Sequence, residues 1–485
     1  MERLTTGIAE LDFITGGGLA GGSLVIVAGN PGTGKTTLAE QICFANATPE
    51  RKAIYYTTLS EPPAKLVRHL EPFAFFDPAA LGKRVEFIGL EGLLLDGGAA
   101  NADGLGPLVA EVVRKSFETK PAVVVIDSVK ALRDFVAEKP FRKIMYELAG
   151  RVSHTGAVLL FVGEYREEEI NGSPEFSLAD GVLHLAYEMH EPLDRRWLRV
   201  LKMRGTKHLD GKHTFQIGRN GLELFARLES IEPPNREAVE STRVSSGIPD
   251  LDEMMRGGLP AADATAILGP SGAGKTVIAL RYIEEGLRVG DGCLYVSFQE
   301  SADQLVHKAA SFGWDLTSAL KSGQLTIYDV PPGNLNLDTV GAVVRAELAT
   351  GSVGRVAIDS LAELVSAARE GHRFPAYARS LVSFIRSAGA SSIITSETTT
   401  LGPSSEPLGE LSFLFHNVVL LRYLELESEV GRAISVLKMR DSDHAKGLSQ
   451  YTINEHGLTI LGKLEAISGL LGWSALSMVT PRRVS

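Results

Sequence analysis

The chain contains two copies of the phosphate-binding pattern G-x-x-x-x-G-K-[ST], at residues 29–36 and 269–276. Glycines in this pattern let the backbone curl so that its N–H groups point at phosphate oxygens, and the positive N-terminal end of the next helix adds to the attraction. The loop is built between a strand and a helix. The pattern therefore predicts two nucleotide sites in an α/β fold, with Lys35 and Lys275 reaching the β- and γ-phosphates.

The two loops are part of a longer internal repeat. Gly7 recurs as Gly247, and Lys35 as Lys275, in both cases 240 positions later (247 − 7; 275 − 35). Further matches keep the same order along the chain: Asp127 with Asp359, Glu164 with Glu397, and Lys202-Met203-Arg204 with Lys438-Met439-Arg440. A period of this length indicates a duplicated domain, because solenoid repeats run about 20 to 50 residues. We predict one domain at residues 1–232, a second at 240–470 and a short tail at 471–485.

Composition limits the class of protein. The 485 residues, of which 44% are hydrophobic, can build two domains that each bury a large core. The net charge of −10 disfavours nonspecific nucleic-acid binding, which depends on clustered Lys and Arg. The sequence has neither a secretory leader pattern nor a run of about 18 apolar residues. We expect a cytoplasmic protein with no membrane partner.

Strand and helix patterns alternate in each half. An apolar run precedes each loop, at residues 23–28 and 264–268, and an amphipathic stretch follows it. This alternation predicts a mostly parallel sheet with helices on both faces, whose ligand lies beyond the carboxyl ends of the strands. Each half then ends in consecutive strand patterns, which predict an antiparallel extension: 181–187, 197–203 and 213–217, then 417–424, 433–439 and 450–453.

The loops supply the predicted nucleotide ligands. ATP is the expected nucleotide, and its predicted contacts are Gly29, Pro31, Gly32, Thr33, Gly34, Lys35, Thr36 and Thr37 in the first copy, and Gly269, Ser271, Gly272, Ala273, Gly274, Lys275, Thr276 and Val277 in the second. The Thr36 and Thr276 hydroxyls are expected to hold Mg²⁺. Asp127 and Asp359 each end an apolar strand run and complete the predicted metal sites. The alternative is that these aspartates cap helices.

Two further carboxylates follow predicted strands near the expected γ-phosphates. Glu61 and Glu300 are positioned to orient or activate the attacking water, a role that contributes about 10² to 10⁴ in rate. The alternative is an acidic residue that favours the N-terminus of the next helix, worth about 0.3 to 1 kcal/mol.

Each half also carries a pair of cations two residues apart. Lys202 and Arg204 project from one face of a predicted strand, with His208 six residues after the lysine. Lys438, Arg440 and His444 repeat the arrangement. These groups could contact the γ-phosphate of a nucleotide on a neighbouring subunit. The alternative is a solvated strand edge protected by charge.

Together these motifs resemble the KaiC family, circadian-clock ATPases and autokinases built from two RecA-like domains. The similarity runs from Thr6 to Gly469 and includes both phosphate loops, both aspartates and both Lys-x-Arg pairs with their histidines. The resemblance implies two tandem RecA-like P-loop NTPase domains in a homohexamer of two stacked rings. It also implies ATP at subunit interfaces, with the two Lys-Arg-His sets acting on the adjacent chain, slow hydrolysis, and Ser/Thr autophosphorylation in the second ring.

The chain departs from that family at two places. Paired glutamates follow the second strand in the family, whereas this chain has Ser60-Glu61 and Gln299-Glu300. An amide cannot take a proton from an attacking hydroxyl, so Gln299 could position a group without serving as base. Where the family carries adjacent phosphorylated Ser and Thr, the chain has Ser412-Phe413, which leaves Ser412 as the candidate phosphoacceptor.

The sequence thus predicts an ATPase that uses nucleotide state for signalling or circadian-type timing, with unidentified partner proteins. A serine/threonine autokinase is a second enzymatic hypothesis. A scaffold cemented by unhydrolysed ATP is an alternative of another class. A RecA-like DNA-dependent ATPase is disfavoured by the acidic net charge.

Overall fold

The computed structural model of the chain divides into two compact units, Met1–Ile231 and Glu232–Ser485. Within them the structure describes residues 2–58, 63–96, 105–135, 138–188, 194–234, 242–330, 335–367, 373–397, 414–426, 429–440 and 442–464. No helix in these ranges is both long and apolar enough to cross a membrane. The sequence hypotheses for Glu61 and Ser412 concern positions outside the described residues.

The first unit combines a large sheet with flanking helices. Its strands are β1 (Arg3–Leu4), β2 (Leu19–Ala20), β3 (Leu24–Gly29), β4 (Ala53–Thr57), β5 (Val85–Gly89), β6 (Val123–Asp127), β7 (Val158–Glu164), β8 (Gly181–Glu188), β9 (Arg195–Met203), β10 (His213–Gly218) and β11 (Gly221–Phe225). Its helices are α1 (Ala9–Ile14), α2 (Lys35–Asn46), α3 (Pro63–Leu70), α4 (Glu91–Asp96), α5 (Gly106–Thr119), α6 (Glu138–Ser153), α7 (Glu167–Gly172) and α8 (Pro174–Leu178). Short 3₁₀ helices occupy Pro78–Ala80, Val129–Phe135 and Leu228–Ser230.

The nine-stranded sheet of this unit has the order β11-β10-β9-β8-β3-β7-β6-β4-β5. Strands from β8 to β5 in that order pair in parallel, and β8 to β11 pair antiparallel. Both faces of the parallel part are buried, because alternate residues of each strand enter different hydrophobic clusters: Val25 packs on one face and Ile26 on the other. This burial explains why the strands read as continuous apolar runs.

The second unit repeats the design. Its strands are β12 (Arg243–Val244), β13 (Leu259–Pro260), β14 (Ala264–Gly269), β15 (Gly292–Ser297), β16 (Leu325–Asp329), β17 (Val353–Asp359), β18 (Ser391–Glu397), β19 (Asn417–Leu426), β20 (Glu429–Met439), β21 (Ser449–Asn454) and β22 (Gly457–Lys463). Its helices are α9 (Pro249–Met254), α10 (Lys275–Val289), α11 (Ala302–Ser311), α12 (Leu316–Ser322), α13 (Leu337–Ala349), α14 (Leu361–Ala367) and α15 (Phe374–Ser387).

Its sheet has the equivalent order, β16-β15-β17-β18-β14-β19-β20-β21-β22. The predicted fold class is confirmed: two tandem α/β units, each with a mostly parallel sheet and an antiparallel extension. In both sheets the carboxyl ends of the loop strand and the aspartate strand are separated by one strand, β7 or β18, which ends in Glu164 or Glu397. This order brings the motif residues to one edge of each sheet.

Two details of the sequence prediction are corrected. Each extension has a further strand, β11 or β22, which pairs with β10 or β21 across a two-residue turn. Strands β9 and β20 end at Met203 and Met439, so Arg204 and Arg440 lie in the turns that follow. Only the lysine of each Lys-x-Arg pair therefore belongs to the strand, and the arginine follows directly after its end.

Candidate nucleotide sites

Each phosphate loop closes with a glycine in the left-handed region. Gly34 has φ +94° and precedes Lys35, the first residue of α2, while Gly274 has φ +96° before Lys275. A Cβ on Gly34 would come within 2.6 Å of Ile217 Cδ1, and a Cβ on Gly274 would come equally close to Ile453 Cδ1. Both reasons, the positive φ and the close approach of the extension, require glycine here.

The loop lysines fold back over their own loops. Lys35 Nζ donates to the carbonyl oxygen of Asn30 at 2.8 Å, and Lys275 Nζ donates to the carbonyls of Gly269 and Pro270, both at 2.9 Å. Burial lowers the pKa of both ammonium groups, against the field of nearby carboxylates, Glu164 and Asp127 for Lys35. A triphosphate would supply the negative charge that favours the charged lysine.

An aspartate with two hydroxyl partners lies beside each lysine. Asp127 Oδ2 accepts from Thr36 Oγ1 at 2.9 Å and from Tyr55 Oη at 2.7 Å. The second unit reproduces the arrangement: Asp359 Oδ2 accepts from Thr276 Oγ1 at 2.7 Å and from Tyr295 Oη at 2.9 Å, and its Oδ1 accepts from Thr395. Both carboxylates thus accept hydrogen bonds from the loop threonines, which favours the predicted metal sites over the helix-cap alternative.

The donor set suits a hard divalent cation. Carboxylate and hydroxyl oxygens are ligands that Mg²⁺ prefers in nucleotide sites. Burial raises the pKa of the Asp127 carboxyl, although the hydrogen bonds from Tyr55 and Thr36 oppose the effect. A cation would stabilise a carboxylate in this position, so Thr36 and Asp127, and likewise Thr276 and Asp359, fit the expected ion.

A cavity of about 380 Å³ opens over the first loop. Its lining residues are Gly32, Gly34, Lys35, Thr36, Thr37, Thr57, Leu66, Asp127, Ser128, Gly163, Glu164 and Ile217. Most predicted ligands of the first loop thus share one space with the aspartate. The volume falls in the usual range for small-molecule sites.

The remaining loop residues have mixed positions. Gly29 lies so close to the Leu185 carbonyl that a side chain would collide with it, Pro31 is exposed, and Thr33 donates to the Asn30 carbonyl at 2.9 Å. In the second loop, the carbonyls of Ser271 and Ala273 accept from Tyr423 Oη at 3.2 Å and Tyr451 Oη at 2.5 Å.

Gly272 turns the second loop with φ +75°. Val277 differs from its counterpart, because it packs in the hydrophobic core whereas Thr37 lines the first cavity.

The carboxylate expected to activate water in the second site has a partner of its own. Glu300 forms an ion pair with Lys308 on α11. The neighbouring Gln299 donates its side-chain N–H to Glu363 on α14, and Glu363 also accepts from Ser360 Oγ at 2.5 Å. Two carboxylates, Glu300 and Glu363, therefore stand next to Gln299.

The cations of the first unit make contacts away from the cavity. Lys202 Nζ donates to the carbonyls of Phe176 and Ser177 at 3.4 and 3.2 Å, and Arg204 pairs with Asp180 at 3.2 Å. His208 lies 3.7 Å from an oxygen of Asp210. Within the described chain, none of the three lines the cavity of its own unit.

The second set is arranged in the same way. Lys438 Nζ donates to the Phe415 carbonyl at 2.9 Å, and the Arg440 amide donates to the His416 carbonyl at 3.0 Å. His444 lies between β20 and β21. The fold thus brings each lysine, threonine and aspartate together, and in the first unit the Lys202, Arg204 and His208 set does not line the cavity that they share.

Sequence reasoning missed the two tyrosines that contact the aspartates. Tyr55 and Tyr295 are buried on β4 and β15, where a tyrosine is typical of a core strand. They are related by the same 240-residue offset as the lysines (295 − 55), so the repeat itself carried a signal. Thr395 had no such signal, because its first-unit counterpart, 233 positions earlier, is Val162.

Comparisons with known proteins point to one family. The family model described as KaiC, an ATPase, matches residues 4–229 and 244–465. The circadian clock oscillator protein KaiC of Thermostichus vulcanus is 29% identical over 492 residues, which cover 100% of this chain and 93% of that protein. The circadian clock protein KaiC3 of Synechocystis sp. is 28% identical over 483 residues, covering 97% and 94%. The KaiC of Prochlorococcus marinus is 27% identical over 474 residues, covering 94% and 92%.

Proposed function

The chain belongs to the KaiC family of ATPases, and from that premise we propose that it binds and hydrolyses Mg-ATP at both of its phosphate loops. The observation that carries the proposal is the duplicated cluster of lysine, threonine and aspartate, with Thr36 and Asp127 in contact in one unit and Thr276 and Asp359 in the other. Two independent copies of the same contact support a shared chemical role.

The proposed roles follow from the chemistry of each group. Lys35 and Lys275 bind the β- and γ-phosphates, and each threonine and aspartate pair holds Mg²⁺. The ion supplies neutralisation of charge on the phosphates when it is bound. Glu61 would activate water in the first site. Glu300, or a carboxylate near it, would do so in the second.

Phosphate release from single and double loop variants tests this proposal. We expect Lys35→Ala and Lys275→Ala each to remove the turnover of one site, and the double variant to release no phosphate. The variants should keep their fold, because each substitution removes an ammonium group whose burial is unfavourable for folding. Release by the double variant at the wild-type rate would refute hydrolysis at these loops.

We also propose that adjacent chains complete the sites in a homohexamer. The support is geometric: Lys202, Arg204 and His208 lie apart from the first cavity of their own chain, so a nucleotide that they contact would belong to a neighbouring chain. Molar mass measured with and without Mg-ATP tests this arrangement. We expect a ring-sized particle with nucleotide, and a monomer under both conditions would refute it.

A serine/threonine kinase activity at Ser412 is a second candidate. It is supported by the side chains of the Ser412-Phe413 pair, because Ser412 has a hydroxyl group that can accept a phosphate and Phe413 has none. Mass spectrometry after incubation with Mg-ATP should find phosphate on Ser412. An unmodified Ser412 would refute the kinase proposal, and ATPase activity would be the single enzymatic activity that remains proposed.

The named relatives are circadian clock proteins. We propose by analogy that the nucleotide state of this chain serves signalling or timing through partner proteins. The opposing scaffold hypothesis predicts ATP binding without phosphate release, and a DNA-dependent ATPase predicts DNA-stimulated, strongly salt-dependent turnover. One phosphate-release assay with and without DNA separates the three.

A further inference from the structure

The second unit carries a carboxylate that the first unit lacks. Glu363 lies on α14, four positions after Asp359 (363 − 359), whereas the same position after Asp127 is Ala131 (127 + 4). The partner position also differs, because the 240-residue offset of the neighbouring tyrosines places Leu59 of the first unit at the position of Gln299 (299 − 240). A glutamate and a glutamine thus appear together in one half of the repeat and are both missing from the other.

The fold brings these two residues into contact. Gln299 follows β15, and its side-chain nitrogen donates to Glu363 Oε1 across 64 positions of sequence. Ser360, directly after Asp359, donates to Glu363 Oε2 at 2.5 Å. Glu363 is therefore held from two sides at the carboxyl edge of the sheet, where Asp359 contacts the loop threonine.

The position of Glu363 is within the electrostatic range of the loop lysine. Its charge acts on Lys275 together with those of Glu397 and Asp359, and all three raise the lysine pKa against the effect of burial. Each carboxylate oxygen can accept more than one hydrogen bond, so the contacts with Gln299 and Ser360 leave acceptor sites for water. Glu363 accordingly has the location and the free capacity to contact a water near the triphosphate.

The two side chains that follow β15, Gln299 and Glu300, are less suited to take a proton. Gln299 is an amide, which has no basic carboxylate. Glu300 is already engaged in an ion pair with the ammonium group of Lys308. The carboxylate that Gln299 contacts directly is Glu363.

We propose that Glu363 is the water-activating carboxylate of the second nucleotide site, held in place by Gln299 and Ser360. The inference rests on the proposed hydrolysis of ATP at this site. In the step, a water proton passes to a Glu363 oxygen while the water oxygen bonds to the γ-phosphorus. The bond from that phosphorus to the β–γ bridging oxygen breaks, and its electron pair leaves with ADP.

The test measures phosphate release in a Glu61→Gln background, which removes the proposed base of the first site. Lys275→Ala in this background defines the share of turnover that belongs to the second site. We expect Glu363→Ala and Glu363→Gln to lower that share by about 10²-fold or more. The KM for Mg-ATP should stay unchanged, and Glu363→Asp should restore part of kcat.

Ser366→Ala is the matched control, because Ser366 lies on the same helix and, within the described residues, donates to the backbone carbonyl of Glu363 at 2.8 Å rather than to its carboxylate. It should leave kcat unchanged. Calorimetric titration of Glu363→Gln with Mg-ATP should give the parental Kd, whereas a purely structural role would change the Kd together with kcat.

The outcomes separate this inference from the function on which it rests. Release that is abolished by Lys275→Ala but survives Glu363→Ala overturns the role of Glu363 alone. If the Glu61→Gln parent releases no phosphate, or its release is unaffected by Lys275→Ala, second-site hydrolysis is overturned and the role of Glu363 with it.

Discussion

At the residue scale, each candidate site contains a half-buried aspartate at the carboxyl end of a core strand. Asp127 is surrounded by core strands, and its hydrogen bonds from Tyr55 and Thr36 only partly offset the cost of burial, so its pKa is raised. Burial has the opposite effect on Lys35, because it lowers the pKa of the ammonium group. Mg-ATP would satisfy both groups together, because it brings a cation to the aspartate and an anion to the lysine.

The tyrosine contact can be tested by a paired substitution on β4. Tyr55→Phe removes a donor to Asp127, and we expect it to lower the free energy of unfolding of the first unit by about 1 to 3 kcal/mol. Tyr56→Phe is the control: the Tyr56 hydroxyl is buried without a hydrogen-bond partner among the described residues, so its loss should cost nothing. Chemical denaturation of the full chain measures both. Equal effects would contradict the structural role of Tyr55.

The lowered pKa of Lys35 predicts proton uptake when Mg-ATP binds. The nucleotide favours charged lysine and raises its pKa, so protons are taken up at pH values between the free and the bound pKa, and none is taken up below both. Calorimetry in buffers of different ionisation enthalpy should show uptake that grows from neutral pH toward 10.5, the ordinary pKa of lysine. Proton release over that range would contradict the shift.

At the element scale, the strand-loop-helix unit is constrained by what packs over it. The loop glycine must adopt a positive φ, and the side chain of Ile217 from β10 occupies the space where a Cβ would point. The antiparallel extension therefore fixes the shape of the loop. Anything that shifts β10 should also shift the phosphate ligands.

Gly34→Ala is expected to weaken Mg-ATP binding at the first site by at least about tenfold, because a positive φ costs an L-residue about 1 to 2 kcal/mol before the clash with Ile217 is counted. Calorimetry gives the Kd. Gly150→Ala on α6 is the matched control: it has open space around the new Cβ and should be neutral or stabilising. If both variants bind alike, the loop does not need its glycine.

Strands were predictable from the sequence where both faces of the sheet are buried. The predicted apolar runs at 23–28 and 264–268 agree within one residue with Leu24–Gly29 and Ala264–Gly269, because strands covered on both faces are continuous apolar runs. The short strand β22 was missed, because the turn Glu455-His456 lacks the usual hairpin residues.

Site residues within the loops followed from a local motif. The pairing of Gln299 with Glu363 did not, since it joins residues 64 positions apart through the packing of α14.

At the scale of the whole molecule, duplication has produced two candidate sites with the same central residues and different surrounding residues. Lysine, threonine, aspartate and tyrosine recur in both units, while Leu59 and Ala131 of the first correspond to Gln299 and Glu363 of the second. The shared residues are those that bind nucleotide in the proposed mechanism. The residues that differ are those proposed to handle water, so we expect similar affinities and different turnover rates at the two sites.

Nucleotide binding should also stabilise the chain as a whole. At a hundredfold excess of Mg-ATP over Kd, each occupied site should add about 2.7 kcal/mol to the free energy of unfolding of its unit. Thermal denaturation of wild type, Lys35→Ala and Lys275→Ala with and without Mg-ATP measures this effect. Each variant should lose the stabilisation of one unit, and stabilisation that persists in both units of a variant would contradict the assignment of its lysine.

The central claim is that one chain carries two working nucleotide sites. Isothermal titration calorimetry with Mg-ATP tests it most directly through the binding stoichiometry. We predict two nucleotides per chain for wild type, one for Lys35→Ala or Lys275→Ala, and none for the double variant. A wild-type stoichiometry of one or zero would contradict the claim.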